Sequence, residues 1–460
     1  MCCIGYNVIP ETVIRRKKKL DSMQENIGQL SHISSVKGEI GLLGHHKHGL
    51  TVVTTTVFAV GEMAGSGVLA LPGALLGTGY IGILLNVVCA LVSAYTGMLL
   101  GKCWLMVMNR YEEYQVHTRY PYPAIGQVTF GKPGRLLVSC AINFTMFGAA
   151  VVFLLLASEN LQSLVKNVGK EISFCYWLLI VTAVLIPISW LGTPKDFWPI
   201  AIGATVATSI ACCVVIANVV IDSKTLPEAY HPNVEFKTFA FALGTICFAY
   251  GGHPAFPTFQ ADMRNPEKFG LAIFISYMIV LFMYLPVAII GYYVYGSHTK
   301  DNILQSMSTG PMQYTVEVLI TMHIFCSFII VINPVCQELE ELLRIPTHFG
   351  PKRVIFRTLM MGVVLFVAES VPHFGAILSL IGGSTLTLLA YILPPIFYLK
   401  LCSMEGAWEK IVVPLHTKVA CIEILCVGLI VGVAATYSAV TDLVSSSFSK
   451  PCYISVDTVQ

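Results

Sequence analysis

Charged residues are scarce in this sequence. Asp, Glu, Lys and Arg together make up 12% of its 460 residues, whereas soluble globular domains contain about 25%. The hydrophobic fraction is 55% and the mean hydropathy is +0.72, so lipid must solvate much of the surface. The net charge of +2, with basic residues confined to the first tail and short connections, gives no indication of a nucleic-acid partner.

Motifs of catalysis are also absent from the sequence. It contains no His-Glu-x-x-His, no Gly-x-Ser-x-Gly and no run of intramembrane His or Asp ligands. It also lacks the repeated filter segment or polar stripe that a channel requires. We therefore expect neither an enzyme nor a channel, and no cofactor or metal site.

Apolar runs of about 20 residues, long enough to cross a bilayer, recur along the chain. We count eleven, so the sequence predicts an all-α integral membrane protein with eleven transmembrane helices. The weakest boundary is the break between the ninth and tenth runs. The runs lie at 52–76, 79–105, 134–158, 174–193, 197–221, 239–260, 270–295, 314–337, 354–371, 374–400 and 416–440.

The basic residues predict the orientation. With a cytoplasmic N-terminus, 22 of the 28 Lys and Arg residues fall on the inner side, which is the positive-inside pattern. This predicts a cytoplasmic tail (1–50), an eleven-span domain (51–440) and a short extracytoplasmic tail (441–460). The outer six are Lys166, Lys170, Lys224, Lys237, Lys300 and Lys450.

Most of the fifteen cysteines fall inside apolar runs, where cysteine behaves as a small hydrophobe. Cys175 and Cys452 lie nearer to water, on the predicted outer side. A disulfide between these two residues stays open at this point.

The first apolar run is interrupted by glycine. Residues 61–80 read GEMAGSGVLALPGALLGTGY, and Gly61, Gly65 and Gly67 separate two apolar halves. Unpaired backbone is tolerated at membrane depth only where it is buried in protein or lines a cavity. We expect a second half-helix to start near Ser66, with free amides and a positive dipole end that can receive a carboxylate.

A second interruption lies in the sixth run, from Tyr250 to Pro254. Two interrupted spans in corresponding positions indicate an inverted-repeat transporter. Spans one to five and six to ten would form the two inverted halves, and span eleven is an addition. The alternative is that these glycines allow close helix packing, because Gly61 and Gly65 also fit the small-xxx-small spacing.

Four segments resemble the amino acid/auxin permease family, especially its proton-coupled and vacuolar or vesicular members. They are GSGVLALPGALLGTGYIG (65–82), FAYGGHPAFPTFQADMRNPEKF (248–269), INPVCQELEELL (332–343) and GAILSLIGGSTLTLLAYILPPIFYLKL (375–401). The likeness covers about residues 50–440. It implies a secondary active amino acid carrier with eleven spans in a LeuT-like 5+5 arrangement, with spans 1 and 6 broken.

The resemblance also implies where an amino acid would bind. Its carboxylate would lie against the backbone of Gly65, Ser66 and Gly67. Its amino group would lie against carbonyls of the second break, at Phe248, Ala249, Tyr250 and Gly251. The Tyr250 ring is either an aromatic gate over this pocket or ordinary packing.

Ionisable groups inside spans are costly and often functional. Glu62 in the first break and His253 in the second are candidates for carrying a coupled proton, with structural hydrogen bonding as the alternative for each. His323 and Glu317 lie in the outer half of span eight. Some proton-coupled members carry a histidine in the first half of span one, but this sequence has Phe58 there.

A sodium site would instead need hydroxyls from span eight, where Ser327 and Asn333 are the polar candidates. We favour a proton over sodium. Asp262 and Glu338 are expected to form salt bridges at an inner gate with bases such as Arg264.

The sequence therefore predicts a multi-pass carrier of small, neutral amino acids that is coupled to a proton and lies in the plasma membrane or a lysosomal or vesicular membrane. An amino-acid-sensing receptor on the same fold is the main alternative, and a sodium-coupled carrier is another. The identity of the amino acid and the direction of transport stay open.

Overall fold

The computed structural model describes residues 49–115, 118–166, 169, 171–190, 198–346, 348–445 and 452–454. The predicted cytoplasmic tail therefore lies outside the described residues, except for its last two positions. Within the described ranges the regular structure is helical, apart from one isolated parallel bridge between Leu50 and Met263. This confirms the prediction of an all-helical protein.

Fourteen α-helices follow one another along the described chain. They are α1 (Val52–Met63), α2 (Gly67–Thr78), α3 (Ile81–Arg110), α4 (Pro121–Lys166), α5 (Phe174–Trp190), α6 (Trp198–Asp222), α7 (Phe236–Ala249), α8 (Phe256–Ala261), α9 (Phe269–Tyr295), α10 (Pro311–Leu342), α11 (Pro351–Ser370), α12 (Phe374–Ile381), α13 (Leu393–Ser403) and α14 (Leu415–Ser445). Two π-helical turns, Gly382–Leu386 and Leu388–Ile392, join α12 to α13.

The protein is a membrane protein with several apolar spans. Among the described residues, seven segments are long and apolar enough to cross a membrane, and the bent pair α1–α2 makes an eighth. Helices α5 and α7 are apolar but shorter. Each of the eleven predicted runs overlaps a helix or a helix pair, and that all eleven cross the bilayer stays a prediction.

Helix α4 is longer than the predicted third span. It begins at Pro121, thirteen residues before the predicted start, and bends at Gly131, whose φ is 69°. This left-handed backbone suits glycine, which has no Cβ to clash. The bend therefore joins a short first segment, most of whose residues are buried, to the apolar run that predicted the span.

Burial separates the helices into an inner and an outer set. Helix α9 packs against α1, α2, α3 and α6, and its residues Tyr277 and Tyr284 are fully buried. Helix α14 lies at the periphery, because only 17% of its most apolar stretch is buried inside the protein. Side chains such as Val433 and Phe282 are exposed, as expected for surfaces that face lipid.

The open question about the cysteines is settled by the fold. Cys175, at the start of α5, and Cys452 form a disulfide. The Cys452 amide also donates to the carbonyl of Glu369 at 3.0 Å, and the Tyr453 ring stacks on Phe366 with centroids 6.0 Å apart. Cys452 and Tyr453 are thus held against α5 and α11.

Candidate functional site

The first break separates α1 from α2. Helix α1 ends at Met63, α2 begins at Gly67, and the two helices are bent by 56°. The Gly65 amide donates to the Met63 carbonyl at 2.9 Å, while the first amides of α2 have no acceptors within their own helix. The predicted carboxylate-binding residues Gly65, Ser66 and Gly67 therefore lie at the helix N-terminus that the break creates.

Ser66 carries an unpaired polar group into this break. Its side chain is 1% exposed, and its Oγ has no hydrogen-bond partner among the described residues. A serine at this position often accepts a hydrogen bond from its own helix, but Ser66 makes no such cap. Because buried polar groups are nearly always paired, the unpaired hydroxyl points to a place for a polar ligand or water.

Gly65 and Gly67 have different neighbours. A Cβ on Gly65 would make ordinary contacts, 3.4 Å from Nε2 of His323 and 3.6 Å from Cζ of Phe153. A Cβ on Gly67 would lie only 2.7 Å from Cα of Ala249. Gly67 thus allows α2 to approach the end of α7, and it brings predicted residues of the two breaks side by side.

The second break lies between Ala249, the last residue of α7, and Phe256, the first residue of α8. The Gly251 amide donates to the Phe248 carbonyl at 3.1 Å. The Tyr250 carbonyl accepts from the Tyr277 hydroxyl at 2.8 Å. A carbonyl oxygen has two lone pairs, so the Tyr250 carbonyl can accept one further hydrogen bond, whereas the Phe248 carbonyl already accepts from the amides of Tyr250 and Gly251.

Two tyrosines of α9 bind one carbonyl at each break. The Tyr284 hydroxyl donates to the Met63 carbonyl at 2.5 Å, and the Tyr277 hydroxyl donates to the Tyr250 carbonyl. The two tyrosines are about two helical turns apart and therefore lie on one face of α9. No role could be assigned to these tyrosines from the sequence, because the residue pattern of one helix does not reveal which carbonyls lie opposite it.

Tyr250 is fully buried. Its ring lies 5.7 Å from that of Tyr284, centroid to centroid, and its hydroxyl donates to Oδ1 of Asn86 at 3.3 Å. The ring is therefore packed and hydrogen-bonded in this conformation, and its action as a gate stays a prediction.

His253 lies in a buried polar cluster beside the second break. Its Nε2 lies 3.0 Å from Oγ1 of Thr96, and its ring centroid is 5.1 Å from that of Phe256. Nearby on the same side, the Tyr391 hydroxyl lies 2.7 Å from Oγ of Ser93. Nδ1 of His253 is buried and has no partner among the described residues, so both alternatives given above for His253 stay open.

Glu62 and Ser327 lie on the other side of the site, near the first break. Glu62 is half-buried on α1, and no hydrogen bond or ion pair was found for it among the described residues. Oγ of Ser327 lies 3.2 Å from Nε2 of His323, the same nitrogen that faces Gly65. The predicted ion-coupling residues are thus divided between the two breaks.

Phe58 occupies the position where some proton-coupled members have a histidine. Its ring stacks on Phe259 of α8 with centroids 6.0 Å apart. The first half of the broken pair therefore presents an apolar contact at this point.

The inner-gate prediction is wrong for Glu338. This carboxylate accepts hydrogen bonds from Ser139 and from Nδ2 of Asn143, the latter at 2.7 Å, so polar side chains of α4 take the place of a base. Arg264 donates from Nε to the Gly49 carbonyl at 2.8 Å. The segment before α1 is thereby joined to the segment after α8.

A buried ion pair lies at the same end of α10. Glu340 binds Arg357 of α11 at 2.6 Å and Arg353 at 3.4 Å. Arg357 also donates to the Ser189 carbonyl of α5 at 2.7 Å. This pair fastens three helices together.

The structure also contains an apolar groove of about 540 Å³ between α6 and α10, away from both breaks. It opens on the outer surface and is lined by Ser209, Ile210, Cys213, Val214, Ala217, Pro311, Met312 and Thr315. Its apolar character suits lipid chains rather than a polar solute.

Solved structures define the class of fold. The crystal structure of MhsT in complex with L-phenylalanine aligns with a TM-score of 0.55 at 12% identity, covering 86% of this chain and 100% of that one. A mutant of the Eremococcus coleocola manganese transporter aligns with a TM-score of 0.56 at 12% identity, covering 94% of this chain and 92% of that one. At this identity the likeness concerns the fold alone, and that fold is the LeuT fold of membrane transporters.

The sequence comparison defines the family. The profile described as "Transmembrane amino acid transporter protein" matches residues 48–438, and the chain belongs to this family. The resemblance to the amino acid/auxin permeases is thereby confirmed, as is the expectation that the protein is not an enzyme.

Curated relatives carry names that agree with the family. Amino acid transporter AVT1B of Arabidopsis thaliana is 26% identical over 89% of this chain and 73% of its own length. Amino acid transporter AVT1C of the same plant is 27% identical over 89% of this chain and 72% of its own length. Lysine histidine transporter-like 3, also of Arabidopsis thaliana, is 26% identical over 74% of this chain and 79% of its own length. Family and fold together support amino acid transport.

Proposed function

We propose that this protein is a secondary active transporter that moves small, neutral amino acids by alternating access, coupled to a proton. One observation carries the proposal: the N-terminal end of α2 and the C-terminal end of α7 adjoin where Gly67 meets Ala249. A helix N-terminus attracts an anion and a helix C-terminus attracts a cation. A zwitterion of amino acid size matches both ends at once.

The residues that line the proposed substrate site between the two breaks suit a substrate with a neutral side chain. Phe153 lies beside Gly65, and the Leu386 side chain lies against Gly251. Apolar walls favour a substrate whose side chain carries no charge, because an unpaired charge would be expensive to bury. The fold neighbour MhsT was solved with L-phenylalanine, which is a substrate of this kind.

Alternating access would open and close the molecule around the two breaks. The α1–α2 bend and the gap between α7 and α8 divide both predicted broken spans into halves. Tyr277 and Tyr284 hold one carbonyl of each break, so movements of the halves would be made relative to α9. We propose that spans one to ten form the 5+5 inverted repeat and that α14 is the added eleventh span.

A proton is proposed as the coupled ion. Glu62 is the sequence-derived candidate without a partner among the described residues, whereas His253 contacts Thr96 and Ser327 contacts His323. The sodium alternative requires the Ser327 hydroxyl to turn from His323 to the ion. Replacing sodium by a pH gradient as the driving force distinguishes the two.

The orientation is also a proposal. The distribution of basic residues favours a cytoplasmic N-terminus and an extracytoplasmic C-terminus. The Cys175–Cys452 disulfide supports this orientation, because disulfides persist in oxidising compartments and both cysteines fall on the proposed outer side. The host membrane is proposed to be the plasma membrane or a lysosomal or vesicular membrane.

The test is uptake of a labelled amino acid panel by purified protein in liposomes, first with an imposed pH gradient and then with a sodium gradient. Accumulation of a neutral amino acid under the pH gradient alone is the expected result. Accumulation only with sodium would replace the proton by sodium. Saturable binding with neither uptake nor exchange would establish the receptor alternative instead.

Glu62 is tested separately by Glu62→Gln, which keeps the size of the side chain and removes its proton exchange. If Glu62 carries the proton, this variant loses the pH dependence of uptake. An unchanged pH profile would leave Glu62 as a structural group.

A further inference from the structure

A histidine that has no assigned role borders the first break. His323 of α10 is 1% exposed, and its Nε2 faces Gly65, where a Cβ would lie 3.4 Å away. On the same break, Oγ of Ser66 is buried without a partner among the described residues. The N-terminus of α2 is thus bordered by two polar side chains that are not paired with each other.

The other ring nitrogen of His323 is fixed by α6. Nδ1 lies 3.1 Å from the carbonyl of Ala204 and 3.0 Å from Oγ1 of Thr208. A carbonyl can only accept, so Nδ1 carries a hydrogen and donates it. In the neutral ring Nε2 is then the basic nitrogen, and it accepts from the Ser327 hydroxyl at 3.2 Å.

We propose that His323 is the residue that binds the substrate carboxylate and the coupled proton together. This inference rests on the proposed function and assigns its coupling step to one atom, Nε2. When Nε2 takes a proton from water, the ring becomes a cation beside Ser66 and the free amides of α2. A substrate carboxylate placed there neutralises the ring.

Proton and substrate bind cooperatively for a simple physical reason. An imidazolium with almost no solvent contact is costly without an anion, and a buried carboxylate is costly without a cation. Each therefore stabilises the other, and this coupling is reciprocal. The empty transporter prefers the neutral ring, so the proton and the amino acid enter and leave as a pair.

Several titratable groups lie on the helices that carry or border the ring. They include Glu62 of α1, Glu159 of α4, Cys212, Cys213 and Asp222 of α6, Tyr284 of α9, and Glu317, Cys326 and Glu338 of α10. Among the described residues, none of these forms a hydrogen bond or ion pair with His323, whose partners are Ala204, Thr208 and Ser327. The Glu317 carboxylate accepts from Gln313 at 3.0 Å, and the Tyr284 hydroxyl is held by Met63.

Three variants in liposomes test the proposal: His323→Gln, Glu62→Gln and His253→Gln. Each is assayed for exchange of a labelled neutral amino acid without a gradient and for accumulation driven by a pH gradient. We expect His323→Gln to retain exchange with a KM raised about tenfold, since a charge-assisted hydrogen bond is lost, and to lose accumulation. His253→Gln tests the rival histidine of the second break: loss of accumulation in His253→Gln together with accumulation retained in His323→Gln would assign the coupled proton to His253 and overturn the role of His323.

A second measurement does not depend on the variant folding well. In the wild type, the KM for exchange should rise as pH increases through the range in which imidazole titrates, about pH 5 to 8. In His323→Gln this KM should be high and independent of pH. An amino acid amide, which lacks the carboxylate, should show no such pH dependence in either protein below about pH 7, where its own amino group stays protonated.

The outcomes distinguish a failure of the role of His323 from a failure of the proposed transport function. Gradient-driven accumulation by His323→Gln, or its loss in Glu62→Gln alone, would overturn the role of His323 while leaving the transporter intact. A wild-type KM that does not change with pH would overturn it as well. Absence of any exchange by the wild type would overturn the proposed function, and this inference with it.

Discussion

Single glycines determine what each break can do, and the two glycines of the GSG segment do different work. A Cβ on Gly65 would make ordinary contacts with the side chains of His323 and Phe153, whereas Gly67 lies against the backbone of Ala249. A side chain at the first position enters the proposed substrate site. A side chain at the second pushes two helices apart.

Gly65→Ala and Gly67→Ala should therefore affect different properties, substrate binding in the first variant and stability in the second. We expect Gly65→Ala to fold normally and to bind substrate less tightly, because the methyl group occupies the place of the carboxylate. We expect Gly67→Ala to lower stability by about 1–3 kcal/mol, as overpacked sites do. Thermal stability of the solubilised protein and the KM for exchange measure the two effects.

Gly362 of α11 supplies the control for this pair, since a Cβ there meets no atom within 4 Å. Gly362→Ala should leave KM unchanged and should not lower stability, because alanine favours the helix over glycine by about 0.5–1 kcal/mol. Normal KM in Gly65→Ala would argue against a carboxylate at this break.

At the scale of helices, α9 holds one carbonyl of each break. The hydroxyls of Tyr277 and Tyr284 reach Tyr250 and Met63 from one helix face. Since an unpaired buried carbonyl is costly, these bonds define how the ends of α1 and α7 are positioned relative to the scaffold.

Tyr277→Phe should lower stability by about 1–3 kcal/mol, the cost of an unsatisfied buried polar group. Tyr284→Phe should cost only about 0.5–1.5 kcal/mol, the net value of one hydrogen bond, because the Met63 carbonyl keeps the bond from the Gly65 amide. Both variants should also raise the KM for exchange, because the half-helix ends lose their fixed position. Tyr293→Phe is the control, as Tyr293 lies on α9 but is 65% exposed. A change in stability equal to that of Tyr293→Phe would contradict the assignment.

The ion pair of Glu340 and Arg357 fastens α10 to α11. Glu340→Leu removes the carboxylate that two buried arginines share, so it should destabilise the protein by about 3–5 kcal/mol. Arg357→Leu should cost less, because Arg353 remains 3.4 Å from Glu340. Replacing Glu340 and Arg357 together by leucine should cost less than Glu340→Leu alone, since one buried cation fewer then lacks the carboxylate. Thermal denaturation of the two single variants and the double variant measures the coupling.

A surface pair of the same helix gives the comparison. Arg119 and Glu341 lie 3.9 Å apart, with side chains 44% and 62% exposed. Arg119→Leu should cost no more than about 1 kcal/mol, because water screens the pair. Equal losses at both sites would mean that burial does not control the contribution of the ion pairs.

The sequence predicted helices better than it predicted contacts. The glycines of 61–80 predicted the α1–α2 break because backbone freedom is a local property of the residue. The position of His323 next to Gly65 could not be predicted, since it depends on how α10 packs against α6 and α1. The same limit explains Glu338, whose partners Ser139 and Asn143 lie on α4 and not in the nearby sequence.

For the whole molecule, the disulfide of the fold and the distribution of basic residues in the sequence both bear on the orientation in the membrane. Charge counting along the chain placed Cys175 and Cys452 on one side of the membrane, and the fold joins these residues across a separation of 277 positions. Two independent features thus favour the same orientation. A bond formed inside the cytoplasm would be reduced by the thiols of that compartment.

The orientation can be tested by labelling sealed cells with a maleimide that does not cross membranes, with labelled peptides identified by mass spectrometry. We expect Cys452→Ala to leave Cys175 free and labelled from outside, because its partner is gone. In the wild type, Cys175 should be labelled only after reduction. Ser403→Cys, at the proposed inner end of α13, provides the control and should react only after permeabilisation. Labelling of Ser403→Cys in sealed cells, with Cys175 protected, would invert the proposed orientation and place the C-terminal end in the cytoplasm.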